Sequence, residues 1–104
     1  MKLYTPADLH QAMQQGRITV LDVRQPEEWA ICHIASSIHI PMGEVASRID
    51  ELNPAQPLVA VCHHGMRSEH VARGLIRAGF EQVGNLVGGI DAWAEQVEPA
   101  MARY

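Results

Sequence analysis

The chain has 104 residues, of which 47% are hydrophobic, and its 8 Lys and Arg against 12 Asp and Glu give a net charge of −4. This length fits one domain with one core, and we expect it over 1–104, with a core at 4–96 and a tail at 97–104. The sequence has no basic stripe, no apolar run that could span a bilayer and no apolar signal region, so we expect no nucleic acid partner, no membrane partner and a cytoplasmic location.

Short apolar runs alternate with helical patterns along the chain. Thr5 and Pro6 predict the start of a first helix, as its N-cap and first residue, and Gly16 predicts its end. Residues 18–23 are β-branched and nearly all apolar, which is typical of a strand covered on both faces. The remaining predicted elements are a helical turn at 26–29, a strand at 37–40, an amphipathic helix at 45–52, a strand at 58–61, a helix between Gly65 and Gly79, a strand at 83–87 and a helix that contains Trp93.

Cys62 stands at the end of a predicted strand and directly before a predicted helix. The alternation of strands and helices favours a largely parallel α/β sheet, in which ligands bind at the carboxyl ends of strands. Unpaired amides at the helix start, and a curved loop through Gly65, can present N–H groups to an anion. His63, His64 and Arg67 add donors or positive charge. These effects favour a thiolate, so we predict a reactive cysteine rather than a small buried structural one.

Four segments resemble the rhodanese superfamily. Residues 62–68, CHHGMRS, resemble its active-site loop, C-x-x-G-x-R-S. Residues 21–29, LDVRQPEEW, resemble the D-V-R-x-P-x-E segment, and residues 33–41 resemble the H-I and I-P segment that follows it. Residues 85–93, NLVGGIDAW, resemble the L-x-G-G-x-x-A-W signature. Each segment alone is only moderately specific, but four in family order form a highly specific pattern.

The resemblance implies a rhodanese-like α/β fold, a mostly parallel sheet of about five strands flanked by helices. It also implies a sulfurtransferase without a cofactor. Cys62 would take sulfane sulfur from a small anionic donor such as thiosulfate, become a persulfide and pass the sulfur to cyanide, a thiol or a protein acceptor. The residues implied for substrate binding follow Cys62 in the loop: His63, His64, Gly65, Met66 and Arg67.

Three other functions compete with sulfur transfer. Phosphatases and arsenate reductases of the superfamily have one more residue between the loop Cys and Arg, whereas four residues separate Cys62 from Arg67 here. This shorter loop suits a sulfur atom better than a tetrahedral phosphate. A non-catalytic docking module usually lacks the cysteine. A metal site is disfavoured because Cys62, His63 and His64 are adjacent and cannot easily converge on one ion.

Several features stay open from the sequence. Arg67 either faces the pocket or braces the loop by pairing with an acid such as Asp22 or Glu27, since a cation at a helix start opposes the helix dipole. Cys32 stands where the family commonly has Gly, outside the Cys62 loop, and we expect it to be dispensable. The tail at 97–104 has no predicted role.

Overall fold

The computed structural model describes all residues, 1–104. The chain folds around one five-stranded sheet. The strands are β1 (Lys2–Tyr4), β2 (Thr19–Asp22), β3 (Ile38–His39), β4 (Leu58–Val61) and β5 (Val83–Leu86). They lie in the order β1-β5-β4-β2-β3, and every neighbouring pair is parallel. The predicted parallel α/β sheet of about five strands is confirmed.

Helices pack on the sheet and begin close to where the sequence predicts. They are α1 (Pro6–Gln15), α2 (Pro26–Ile31), α3 (Met66–Arg77) and α4 (Gly89–Gln96). Thr5 caps α1: its hydroxyl accepts from the Asp8 amide, and the Asp8 carboxylate accepts from the Thr5 amide, each at 3.1 Å. This reciprocal cap satisfies amides that a first helical turn leaves without partners. None of the helices combines the length and the hydropathy needed to cross a membrane.

The amphipathic α-helix predicted at 45–52 is wrong in type. This part of the chain forms two 3-10 helices, Met42–Glu44 and Ala46–Glu51. Arg48 interrupts the helical backbone with a φ of −117°, and the backbone bonds around it close tighter turns. Val45 and Leu52 are nevertheless buried. The apolar spacing therefore predicted the buried residues correctly. Two short 3-10 helices bury them in place of one α-helix.

The sequence patterns missed strand β1. It has three residues, pairs only with β5 at the edge of the sheet, and leaves Leu3 60% exposed. A strand this short is at the lower limit of strand length and shows no alternation that a pattern search can use.

Buried side chains form two clusters, one on each face of the sheet, as expected for strands covered on both faces. Alternation along β4 divides them: Leu58, Ala60 and Cys62 belong to the cluster that includes side chains of α3. Val59 and Val61 belong to the cluster formed with α1 and α4. Successive side chains of a strand point to opposite faces. Cys62 therefore lies on the α3 side, at the carboxyl end of the central strand.

Candidate active site at the carboxyl end of strand β4

The Cys62 sulfur lies beneath the loop that joins β4 to α3. The residue is 1% exposed. The Gly65 amide donates to Cys62 Sγ at 3.0 Å, and the Ser68 hydroxyl lies 3.3 Å from the same sulfur. Gly65 is the N-cap of α3 and has a φ of +114°, a conformation that residues with a side chain rarely adopt. The glycine thus allows the tight turn that brings an amide and the start of a helix onto one sulfur.

Helix α4 fixes the carbonyl groups of this loop. The Ile90 amide donates to the Cys62 carbonyl at 2.8 Å, and the Asp91 amide donates to the His63 carbonyl at 3.2 Å. Gly89 permits this close approach, because a Cβ there would lie only 2.6 Å from the Cys62 carbonyl oxygen. With both carbonyls held by α4, the loop is free to turn its amides toward the sulfur. This role of Gly89 was not predicted from the sequence.

The surroundings of Cys62 lower its pKa. Burial alone opposes ionisation and raises the pKa of the thiol, but hydrogen bonds outweigh it. They come from the Ser68 hydroxyl and from the backbone amides of Ser68, Gly65 and His64, and together they hold the pKa below its ordinary value. Donors aimed at a sulfur stabilise its charged form. The direction is the one that the sequence analysis predicted for this loop.

Two buried polar residues, Ser68 and Asn85, complete the support of the loop. Asn85 in β5 donates from Nδ2 to the Gly65 carbonyl at 2.9 Å, and its Oδ1 lies 2.5 Å from the Ser68 hydroxyl. That hydroxyl has a single proton, so it donates either to Asn85 or to a Cys62 thiolate. Neither residue was predicted from the sequence as a site residue. The available signal was a polar residue on the buried face of α3 and another inside a buried strand.

Arg67 braces the loop, but through a different acid from those predicted. Its guanidinium donates to both carboxylate oxygens of Glu28 in α2, at 2.7 and 2.9 Å. The predicted partners were wrong: Asp22 is held by Arg24, and Glu27 is exposed. Arg67 holds the pKa of Glu28 down at about 2. Arg67 therefore ties the start of α3 to α2.

Arg24 forms a buried ion pair behind this brace. Arg24 is 0% exposed and Asp22 is 1% exposed, and their closest atoms are 2.7 Å apart. Arg24 also donates to the carbonyls of Glu28 at 3.2 Å and Cys32 at 2.7 Å, and to the Tyr104 hydroxyl at 3.0 Å. The buried guanidinium of Arg24 is therefore paired with a carboxylate and with further acceptors. An unpaired charge in this position would be costly.

The loop histidines and Met66 lie at the outer side of the site. His63 is half-buried, with its ring centroid 3.9 Å from that of His64 and 3.9 Å from that of Tyr104. Burial, followed by the neighbouring His64, lowers the pKa of His63. This direction disfavours a charged His63 ring, although the sequence allowed the loop histidines to act either as donors or as positive charge. Met66 opens α3 and is 84% exposed, so it adds apolar surface beside the loop.

The structure brings Cys62 together with Gly65 and Ser68, while Arg67 and Met66 point to neighbours or to solvent. Cys32 caps the end of α2 and does not join this group; the polar contact of its sulfur is with Arg24 Nη1, at 3.9 Å. No group of three or more His, Cys, Asp or Glu side chains is arranged to hold a metal ion. What remains is one ionisable sulfur surrounded by hydrogen-bond donors, an arrangement suited to a nucleophile whose product is an anion.

Comparisons with known proteins find matches over most of the chain. The profile of the Rhodanese-like domain matches residues 5–96. The putative sulfur carrier protein YrkF of Bacillus subtilis is 42% identical over 81 residues, covering 78% of this chain and 44% of that protein. The probable adenylyltransferase/sulfurtransferase MoeZ of Mycobacterium tuberculosis is 36% identical over 103 residues, covering 96% of this chain and 26% of that protein. The chain thus spans less than half the length of either curated relative.

A solved structure matches over nearly its whole length. The crystal structure of a rhodanese-related protein from Thermoplasma volcanium superposes with a TM-score of 0.86 at 32% identity, and the match covers 95% of this chain and 96% of that one.

Proposed function

Because the chain belongs to the rhodanese-like domain family, we propose that it transfers sulfane sulfur through a persulfide on Cys62. One observation carries the proposal: the buried Cys62 sulfur accepts a hydrogen bond from the Gly65 amide at 3.0 Å and lies 3.3 Å from the Ser68 hydroxyl. The names of the two curated relatives, a sulfur carrier and a sulfurtransferase, support sulfur transfer in general.

The first half-reaction forms the persulfide. The Cys62 thiolate attacks the outer sulfur of thiosulfate, a new S–S bond forms, and the sulfur–sulfur bond of the donor breaks. Sulfite leaves with the electron pair of that bond. The terminal sulfur of the persulfide then carries the negative charge, and the loop amides that lower the pKa of Cys62 are placed to stabilise it.

The second half-reaction returns the thiolate. A nucleophile, either cyanide or a thiolate of a small molecule or protein, attacks the terminal sulfur. The S–S bond to Cys62 breaks, and the cysteine leaves with the electron pair. Two half-reactions through one covalent intermediate predict ping-pong kinetics.

The remaining loop residues support these steps in different ways. The amides of His64 and Gly65 and the start of α3 would bind the anionic end of the donor. Arg67 is occupied by Glu28, so we assign it to bracing the loop rather than to direct attraction of the donor. Met66, exposed beside the loop, would contact a larger acceptor. Both cysteines are free, as a reducing compartment would keep them, and we extend the proposal to the cytoplasm.

The same pairing argues against a phosphatase. A phosphate bound at the loop would call for the guanidinium of Arg67, which is a good bidentate partner of phosphate. That guanidinium makes two bonds to Glu28 instead.

Intact mass spectrometry after incubation with thiosulfate tests the proposal. We expect the mass of one sulfur atom to be added to the wild type and to Cys32→Ala, and not to Cys62→Ser. Cyanide or a thiol should remove it. Loading by a low-molecular-weight persulfide but not by thiosulfate would support sulfur transfer through Cys62 and would show that thiosulfate is not the donor. Turnover of an aryl phosphate without any sulfur loading would overturn the function itself.

A further inference from the structure

Residues 97–104 return from the end of α4 to the Cys62 loop. The segment is held at two points along the way: Glu98 accepts from the Trp93 indole at 2.9 Å, and Arg103 donates to Asp91 at 3.1 Å. Tyr104 then lies against the loop. The mechanism proposed above gives this residue no part.

Tyr104 contacts groups at both ends of the loop. Its ring stacks on His63, the residue after Cys62, with centroids 3.9 Å apart and an interplanar angle of 11°. Its hydroxyl donates to Glu28 Oε2 at 2.7 Å, and the same carboxylate holds Arg67 at the start of α3. One side chain therefore restrains the loop where it leaves β4 and where it enters α3.

The hydroxyl of Tyr104 has a defined direction. It accepts from Arg24 Nη1 at 3.0 Å, which leaves its own proton for Glu28. Burial raises the pKa of Tyr104 to about 12, so the phenol is protonated at any pH at which the protein would act. The buried ion pair of Arg24 and Asp22 fixes the position of the Arg24 guanidinium. The phenol thus links this buried pair to the exposed side of the loop.

The Tyr104 ring covers one face of the His63 ring. The Nε2 of His63 is buried and makes no hydrogen bond. The other ring that touches it belongs to His64, which is exposed and tilted by 34°. Removal of Tyr104 would leave the side chain next to the nucleophile without its parallel partner.

We propose that Tyr104 is a positioning residue for sulfur transfer, which keeps the loop amides aimed at Cys62 by holding His63 through its ring and Glu28 through its hydroxyl. This inference rests on the function proposed above for Cys62. It separates two contributions of one side chain: Tyr104→Phe keeps the stack and removes the hydroxyl, while Tyr104→Ala removes both. Tyr4→Phe removes a phenol hydroxyl far from the loop and is the matched control.

Two measurements, made in a Cys32→Ala background so that Cys62 is the only thiol, test the proposal. The first is the pH titration of the Cys62 thiolate by its ultraviolet absorbance, which needs no sulfur donor. The second is the single-turnover rate of sulfur loading from thiosulfate, followed by intact mass. Circular dichroism and thermal unfolding check that each variant is folded.

We expect Tyr104→Phe to load sulfur about threefold to tenfold more slowly, the effect of one lost hydrogen bond on a barrier. We expect Tyr104→Ala to lose more than tenfold, with its thiolate titration shifted to higher pH, and Tyr4→Phe to match the parent. The Phe variant keeps the test decisive if the Ala variant does not fold.

Unchanged loading and an unchanged thiolate titration in Tyr104→Ala, with only a lower unfolding temperature, would overturn the proposal and leave Tyr104 as a structural anchor. Faster loading would also overturn it, because Tyr104 would then be a cover that obstructs the site. If the parent does not load sulfur at all, the proposed function fails, while the thiolate titration still decides whether Tyr104 positions the loop.

Discussion

Two of the connections that leave the carboxyl edge of the sheet, one after β4 and one after β2, each contain a cysteine. Cys62 precedes a helix, and an amide and a hydroxyl lie within 3.3 Å of its sulfur. Cys32 ends a helix, where carbonyl groups gather, and only Arg24 Nη1 approaches its sulfur, at 3.9 Å. Helix starts present N–H donors and helix ends present carbonyl acceptors. The same residue type therefore meets opposite surroundings at the two positions.

The two connections also differ in what holds them together. The loop after β4 is ordered by its backbone, through Gly65 and the amides of α4. The connection after β2 is ordered by charged side chains, mainly the buried pair of Asp22 and Arg24. They meet where Arg67 binds Glu28. One connection carries the chemistry, and the other supports it, so substitutions in the two should have separable effects.

The largest effect should come from breaking the support. Arg24→Met leaves the buried Asp22 carboxylate without its charged partner, with the backbone amide of residue 24 still donating to it, so we expect the free energy of unfolding to fall by about 3–5 kcal/mol. Urea unfolding measures this. The matched control is Arg48→Met, which removes a much more exposed arginine that also binds carboxylates and should cost far less stability. Equal costs for the two variants would contradict the assignment of Arg24 as a buried support.

A substitution in the Cys62 loop should act on chemistry instead. Ser68→Ala removes a hydrogen bond to a charged sulfur, worth about 1.5–3 kcal/mol, and should raise the pKa of Cys62. Titration of the thiolate absorbance in a Cys32→Ala background checks this. Ser47→Ala is the control, because the Ser47 hydroxyl is exposed and donates to the Glu44 carbonyl. A Ser68→Ala titration that overlays the parent would show that the amides alone stabilise the thiolate.

The contact between the two connections predicts a pH dependence. Folding lowers the pKa of Glu28 from 4.5 to about 2, chiefly through its bonds to Arg67. A depressed folded pKa means that the carboxylate stabilises the fold above its unfolded pKa and loses that contribution as the pH falls toward 2. Glu28→Gln should therefore be less stable than wild type near neutral pH, and the difference should shrink in acid.

Urea unfolding of both proteins across the acid range measures this difference. Glu27→Gln, a change at the exposed neighbouring carboxylate, should show no comparable trend. A wild-type advantage that stayed constant down to the lowest pH would mean that the ion pair does not couple to folding.

The smallest effect is expected at the second cysteine. Cys32→Ala removes a sulfur that has no close donor, so sulfur loading should stay within about twofold of wild type. Intact mass after thiosulfate treatment follows the loading. A loss as complete as that of Cys62→Ser would make Cys32 a second catalytic thiol and erase the contrast between the two connections.

The predictions that succeeded concern neighbours in the chain. Thr5 and Pro6 begin α1, and the segment around Gly65 forms strand, tight loop and helix as predicted. Each depends on capping, backbone conformation or burial pattern, which a few consecutive residues determine. The lowered pKa of Cys62 belongs to this group, because its main donors lie within six residues of the sulfur.

Only the tertiary structure decided which distant groups meet at the carboxyl edge. Glu28 rather than Asp22 or Glu27 binds Arg67 across 39 positions, and Tyr104 reaches Glu28 across 76. α4 holds the carbonyl of Cys62 because β5 lies beside β4. The order of the strands determines which segments lie next to one another at this edge. Charged side chains then pair with the oppositely charged groups that are within reach. Local sequence patterns contain no information about the strand order or about the pairing of these charges. The same acids and bases could pair in several ways, and the packing of the sheet determines which pairs form.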